Sequence, residues 1–270
     1  MLTPSRHKTL FARGESDANL RKHYFEDTSS MDQLLYMIFC IGEKGRICLN
    51  DNDWIDPDDI SIDNFSRIYA ILNTALKTAD KGSPYRRERM AEFISENKRF
   101  ADAFLSEKKA VLNKYNNLGS EERKKINLYY LAILHTINSN QYKNKSIFVS
   151  TSQNIEVAEH FEQDLMFIGW VPKSYSLSYI AFKKNNNFTS ICDSVGLPKV
   201  NIPVYPEQAE ISVRYGILPH FLIGVKVKNV FYVNPAIYET MELFSKCTSI
   251  KQMRQLRTDI IKNGLMVDQT

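Results

Sequence analysis

The sequence predicts an α+β protein carrying a large helical insertion. Three observations lead there. Helical periodicity dominates residues 31–140, short β-branched and aromatic runs follow Asn138, and a strand-like start at Leu10–Ala12 is parted from those runs by the helical block. The 270 residues are 43% apolar and 24% charged, with only ten Gly and nine Pro, which excludes disorder, collagen and coiled coil. A chain of this length buries enough surface to fold without covalent staples.

Taken in order, residues 31–41 are apolar at helical spacing, and a second helix over 60–79 follows Asp58 and Asp59, which suit a helix N-terminus. Ile68, Ile71, Leu72 and Leu76 form its apolar face. A third helix starts at Ser83-Pro84, with proline in the first helical position, and runs through Met90, Phe93, Phe100, Phe104 and Val111. Gly119-Ser120 separates it from a fourth, which buries Ile126, Tyr130, Ile133, Leu134 and Ile137. Strands are expected at 147–149, 166–171, 177–182, 202–205, 211–215 and 222–233, bounded by Pro, Gly and Asn turns, with one helix at 155–161 between them. The stretch 236–261 returns to helix.

Several chemistries are excluded. No two glycines have the G-x-G spacing and none precedes Lys-Ser or Lys-Thr, so P-loop and dinucleotide-fingerprint readings fall. The motifs G-x-S-x-G and H-E-x-x-H are absent. Cys40, Cys48, Cys192 and Cys247 are far apart and the five histidines scattered, so neither a disulfide framework nor a metal site is expected. The acidic run Asp51, Asp53, Asp56, Asp58, Asp59 lacks the Gly and closing Glu of a calcium loop and reads as a helix-capping loop. The longest apolar stretch, 34–41, is too short to span a bilayer, and Met1–Lys8 is no secretory signal, so a cytoplasmic protein with no membrane partner is expected.

Net charge is +4, but it is unevenly spread: residues 31–80 hold four basic against nine acidic groups, −5, and residues 81–145 hold 14 against 7, +7. The basic block includes Arg86, Arg87, Arg89, Lys98, Arg99, Lys108, Lys109, Arg123, Lys124 and Lys125 on predicted helices. It reads either as a solvated helix face or as a track for a phosphate backbone, with tyrosines nearby to stack on bases.

Three segments could carry chemistry. In Thr9-Leu10-Phe11-Ala12-Arg13-Gly14 a short strand ends in a cation able to fork onto phosphate, and the glycine lets a ligand approach the backbone; a surface arginine at a turn is the plain alternative. In Ile147-Phe148-Val149-Ser150-Thr151-Ser152 a buried strand ends in three hydroxyls before the helix holding Val157, Ala158 and Phe161. There Ser152 or Thr151 could simply cap that helix, or Ser150 could orient a catalytic carboxylate. In Tyr205-Pro206-Glu207-Gln208-Ala209-Glu210-Ile211-Ser212-Val213 a loop enters a strand whose alternation puts Glu210 opposite Ile211 and Val213, toward a cleft or toward solvent.

Together and in this order, the Arg-Gly, the Ser-Thr-Ser and the Gln-x-Glu resemble the ADP-ribosyltransferase superfamily, in the branch whose signature is Arg, Ser-Thr-Ser, Glu. The surroundings resemble it too: Ala158 and Phe161 follow the Ser-Thr-Ser strand, and Gly216, Pro219 and the strand Phe221–Val225 follow the glutamate. The resemblance covers about residues 9–25 and 146–235. Arg13 departs from the pattern, lying much further from Ser-Thr-Ser than is usual in the branch.

The resemblance implies a core of two packed, mostly antiparallel sheets, with residues 1–29 and 146–245 as an NAD-binding transferase core, 30–145 as a helical insertion and 246–270 as a C-terminal helix. It implies that Arg13 contacts the phosphate or ribose side of NAD and the Gly14 backbone holds the nicotinamide amide. Ser150 would position the glutamate, while Thr151, Ser152 and Phe161 shape the cofactor pocket. Glu210 would accept from the ribose 2′-hydroxyl and stabilise the oxocarbenium-like sugar left when nicotinamide departs. Gln208 stands where a second Glu goes with arginine acceptors, and members with Gln there modify an asparagine amide in Rho GTPases or, in the pierisin-like branch, a guanine amine. Tyr205 takes the place of the aromatic on the target-recognition loop. NAD is then a substrate, no metal is needed, and the acceptor is a macromolecule, RNA or single-stranded DNA ahead of protein. The implied setting is an intracellular toxin of a toxin–antitoxin or phage-defence system, with an antitoxin protein as a partner. An exported effector with a protein acceptor, and a non-catalytic helical nucleic-acid-binding adaptor, are the alternatives.

Overall fold

A computed structural model of the chain describes residues 8–26, 28–44, 55–137, 146–172, 175–178 and 187–235. Its elements run β1 (Lys8–Glu15), α1 (Asp17–Tyr24), α2 (Met31–Ile41), α3 (Ile62–Lys77), α4 (Pro84–Glu96), α5 (Lys98–Ser106), α6 (Lys108–Asn116) and α7 (Ser120–Ile137). There follow β2 (Phe148–Ser152), α8 (Ile155–Phe161), β3 (Leu165–Pro172), β4 (Ser176–Ser178), α9 (Asn187–Val195), β5 (Glu210–Arg214), β6 (Leu222–Val227) and β7 (Val230–Val233). The fold is α+β. The seven strands form one sheet in the order β4-β5-β2-β1-β3-β6-β7, so the described residues build one sheet where two were expected. No helix among the described residues is long and apolar enough to cross a membrane.

The chain divides into two compact units: one of residues 1–52, 149–176 and 213–270, the other of residues 53–148 and 177–212. In the first unit, β1 pairs antiparallel with β3 along its whole length, from Lys8↔Pro172 to Glu15↔Leu165, and with β2 through Ala12↔Ser152. β3 continues antiparallel to β6, and β6 turns back into β7. The stretch 222–233, read as one strand, is thus a hairpin, with Lys228 at φ 53 in its two-residue turn. Helix α8 lies against β1, where Ala158, Ala12 and Met166 form a small apolar cluster. Helix α1 opens on Ser16, whose side chain accepts from the Asn19 amide, an N-cap that the strand-centred reading of this segment overlooked.

The second unit is built on helices and an aromatic core. Phe65 stacks on Tyr115 with ring centroids 3.8 Å apart, and Phe104 meets Tyr130 edge-on at 5.1 Å. Ser61 caps α3 by accepting from Asn64, while Asp56 and Asp59 accept from the Asp58 and Ser61 amides and shape the approach. The helix expected over 84–111 is three helices, broken at Asn97 and Glu107. Asn97 is buried, donates to the carbonyls of Phe93 and Ile202, and accepts from the amides of Asn201 and Ile202. That side chain replaces a strand partner, and for this reason the strand expected at 202–205 is a loop. Tyr129 accepts from the Val200 amide at 2.9 Å and Tyr130 donates to the Pro198 carbonyl at 2.8 Å. Helix α9 falls on a stretch for which no element was expected. The expected strand residues 179–182 and the helices expected over 236–261 and 246–270 lie outside the described residues.

Burial pushes the Cys192 thiol up to about 12 from its ordinary 9.0, and the Tyr115 hydroxyl up to about 12 from 10.0. Burial also raises Tyr129 and Tyr130. Each of these groups is neutral when protonated and keeps its proton longer in the folded chain than in the unfolded one. Their stabilisation is therefore complete below pH 9 and falls as pH rises toward 12, by roughly 1.4 kcal/mol per pH unit for each titrating group. Melting temperatures between pH 8 and 11 should fall with increasing slope, and Cys192→Ala should flatten the first part of that fall. An unchanged slope in the variant rejects the assignment.

Candidate active site

The sequence-predicted residues occupy both units, and each cluster is described within its own. In the first unit Arg13 stands near the end of β1 with its side chain 12% exposed. Its guanidinium forks onto Glu43, Nε to Oε2 at 2.8 Å and Nη2 to Oε1 at 2.9 Å. Nη2 also donates to Glu15 Oε2 at 2.5 Å, and Nη1 to the Ser150 carbonyl at 2.8 Å. The structure thus brings Arg13 and Ser150 together through the β2 backbone. Two glutamates that the sequence reading did not single out hold the cation between them.

Glu43 reaches Arg13 because of the backbone around it. Gly42 has φ 75, Lys44 φ 62, and Glu43 bridges to Ile217. A Cβ on Gly42 would lie 2.0 Å from the Ile217 carbonyl oxygen, so only glycine fits this approach.

Gly14 has a different reason from the one expected. A Cβ there would lie 2.2 Å from the Ala158 carbonyl oxygen and 2.3 Å from the Glu162 amide, so what approaches this glycine closely is the end of α8. Thr151 and Ser152 are buried, and Ser152 Oγ accepts from the Asn154 amide at 2.9 Å. The cap of α8 is Asn154, whose side chain accepts from Glu156. Ser152 shapes the turn before the cap. Phe161 closes α8 half exposed, with His160 against it edge-on.

In the second unit Glu210 is the first residue of β5 and is 9% exposed. Solvent, the simpler of its two expected environments, is thereby excluded. The alternation holds, but β5 is buried on both faces, Ser212 beside Glu210 as well as Ile211 opposite. Ser212 Oγ donates to Glu210 Oε1 at 2.9 Å, and His135 Nε2, at the end of α7, lies 3.8 Å from the same oxygen. That separation is too long for a hydrogen bond but close enough for a protonated imidazole to act electrostatically. Neither Ser212 nor His135 was identified from sequence. Ser212 could have been, since i and i+2 share a strand face.

The loop before Glu210 leads up to it through a strained step. Pro206–Gln208 make one turn of 3₁₀ helix, the Gln208 amide donates to the Tyr205 carbonyl, and Ala209 sits at φ 46, ψ 40, a left-handed conformation uncommon for alanine. Tyr205 stacks on Tyr85 of α4 with centroids 6.1 Å apart. Both Tyr85 and Arg89 donate to Glu207 Oε1 at 3.0 Å, and the Arg89 guanidinium lies 5.5 Å above the Tyr85 ring. Burial raises the Tyr205 hydroxyl above its ordinary value. Tyr85 remains about half exposed, so α4 and the loop together present an aromatic surface, with Tyr205 two residues before Glu207 and three before Gln208.

A buried carboxylate that accepts from a hydroxyl is suited to stabilising positive charge that develops beside it. The chain matches no protein-family model, no curated protein and no solved structure.

The contact at Gly14 makes a direct prediction. Gly14→Ala should destabilise the first unit by about 3 kcal/mol, because backbone atoms and not a flexible side chain meet the new methyl. Denaturant unfolding checks this, and a loss below about 1 kcal/mol would show that α8 can shift aside.

Proposed function

We propose that the chain is an NAD-dependent mono-ADP-ribosyltransferase whose acceptor is a nucleic acid, RNA or single-stranded DNA. The observation that carries this reading is Glu210: a buried carboxylate held by Ser212, opening a strand directly after the Tyr205–Gln208 turn. Support comes from the resemblance in motif order, with Arg13 on β1, Ser150 on β2 and Glu210 on β5.

In the proposed reaction the bond between ribose C1′ and the nicotinamide nitrogen breaks, and its electron pair neutralises the pyridinium. The sugar is left oxocarbenium-like, and Glu210 stabilises that charge and orients the ribose 2′-hydroxyl. An acceptor nitrogen or oxygen then attacks C1′ and releases its proton. A preorganised charge of this kind is worth roughly 3–4 kcal/mol, or a factor of 10²–10³ in rate. Gln208, whose amide both donates and accepts, would meet the acceptor's polar edge. Tyr205 and Tyr85 would offer it an aromatic surface on which a base can stack.

Incubation of the purified protein with NAD should release nicotinamide, and Glu210→Gln should slow release by about 10²–10³-fold with the fold intact. Absence of release with every acceptor tried would overturn the reading. Lysate labelled with tagged NAD should lose macromolecular label after nuclease and keep it after protease; the converse result would make the acceptor a protein.

The aromatic surface carries its own prediction. Tyr85→Ala should weaken binding of single-stranded RNA or DNA by about 1–3 kcal/mol, the value of one stacked base, while leaving NAD cleavage by water unchanged. Equal affinity of the variant and the parent for oligonucleotides would remove Tyr85 from acceptor recognition.

A further inference from the structure

The guanidinium of Arg13 raises a question that the motif alone does not. A cation meant for a pyrophosphate keeps its donors for the ligand, yet here Nε, Nη1 and Nη2 all donate to protein acceptors. Lying between two carboxylates, this positive charge is engaged by protein acceptors and its pull on a pyrophosphate is weakened. The fork on Glu43 is the stronger attachment, because it is bidentate and Glu43 is fully buried, whereas Glu15 is 15% exposed. With Nε and Nη2 held by Glu43, the plane of the guanidinium is fixed, and within that plane Nη1 donates to the Ser150 carbonyl at 2.8 Å.

We infer that Glu43 is a positioning residue of the proposed transferase, acting through the Arg13 fork to fix the β2 backbone at Ser150. The inference rests on the transferase reading and reassigns Arg13 from drawing in the pyrophosphate of NAD to bracing the strand that carries Ser-Thr-Ser. Glu43 is supplied by the loop after α2, where Gly42, Lys44 and the bridge to Ile217 determine its approach. It touches neither substrate nor reacting atoms in this reading. Removing its charge leaves a buried cation whose remaining carboxylate lies on another side, so the guanidinium turns toward Glu15 and releases the Ser150 carbonyl.

The test separates turnover from binding. In nicotinamide-release assays over a range of NAD concentrations, Glu43→Gln should lower kcat by about tenfold or more and change KM for NAD by less than about threefold. A phosphate-binding role for this cluster gives the opposite split, with KM rising and kcat preserved. Glu43→Asp, which restores charge, should recover part of the lost kcat. Amide hydrogen exchange at Val149–Ser152 should be faster in Glu43→Gln than in the parent, a change that a residue serving only general stability would not confine to β2. Should Glu43→Gln fail to fold, Arg13→Lys serves in its place: it keeps a cation beside Glu43, cannot fork, and should show the same fall in kcat with KM held.

An active parent protein with kcat and β2 exchange unchanged in the variants overturns the positioning role alone. A parent that releases no nicotinamide overturns the transferase reading, and with it any catalytic part for Glu43.

Discussion

Burying a guanidinium is the constraint around which the first unit is organised. A cation at 12% exposure must recover from protein the interactions it gives up in water, and an unpaired one would cost several kcal/mol. Arg13 recovers them from Glu43, Glu15 and the Ser150 carbonyl, three acceptors from three separate stretches of chain. Each acceptor imposes a condition in turn. Glu15 must lie two residues along β1, Ser150 must sit on a strand paired with β1, and Glu43 must arrive by a loop that only glycine at position 42 permits. The close packing of α8 on Gly14 then fixes the strand from its other side, through backbone atoms that cannot yield.

The second unit solves a comparable problem for backbone. Residues 198–209 carry prolines and form no ladder, so their peptide groups need other partners. Helices supply them: Asn97 from the break between α4 and α5, and Tyr129 and Tyr130 from α7, while Tyr85 and Arg89 of α4 hold the Glu207 side chain. The helical block is therefore more than an insertion beside a strand. It holds the loop that ends in Glu210, and its last helix sets His135 near that carboxylate. The excess of +7 over 81–145 is also partly committed inside this unit. Arg86 donates to the Ile137 carbonyl, Arg89 to Glu92 and Glu207, Arg123 to the carbonyls of Asn116 and Leu118, and Lys124 to Glu121. In the proposed reading the block would therefore meet an acceptor less through a charged track than through the exposed ring of Tyr85 with Arg89 over it.

How far sequence reasoning reached follows from the range of the interactions involved. Helices α2, α3 and α7 were readable because their periodicity, caps and Ser/Pro starts are local signals. The breaks at Asn97 and Glu107 were not, since neither Gly nor Pro marks them and Asn97 is turned by residues about a hundred positions away. The same bond explains the loop at 202–205, where β-branched composition pointed to a strand. Alternation put Glu210 opposite Ile211 correctly, but burial on the second face depends on what packs there, which period 2 does not encode. Of the two clusters, Arg13, Ser150 and Glu210 were singled out from residue type and order. Glu43 and His135 were not, because each comes from an element whose own pattern states only helix or loop.

This difference in range bears on what the motif residues do. A motif reading assigns each residue a ligand, because spacing along the chain carries no information about what else lies nearby. Gly14 and Arg13 both read as ligand contacts on that basis, and both prove to be engaged by the protein itself, the one by α8 and the other by two carboxylates and a carbonyl. Glu210 differs from them in chemistry. The Ser212 hydroxyl donates to it, and a hydroxyl orients a carboxylate without neutralising it, whereas the guanidinium forked onto Glu43 pairs that carboxylate with a full opposite charge. A residue paired with an opposite charge through a fork can brace a site, and a carboxylate oriented by a hydroxyl suits the part proposed for it beside a developing cation. Within the proposed reaction that distinction gives the catalytic part to Glu210 and leaves Arg13 and Glu43 as the frame that holds Ser150.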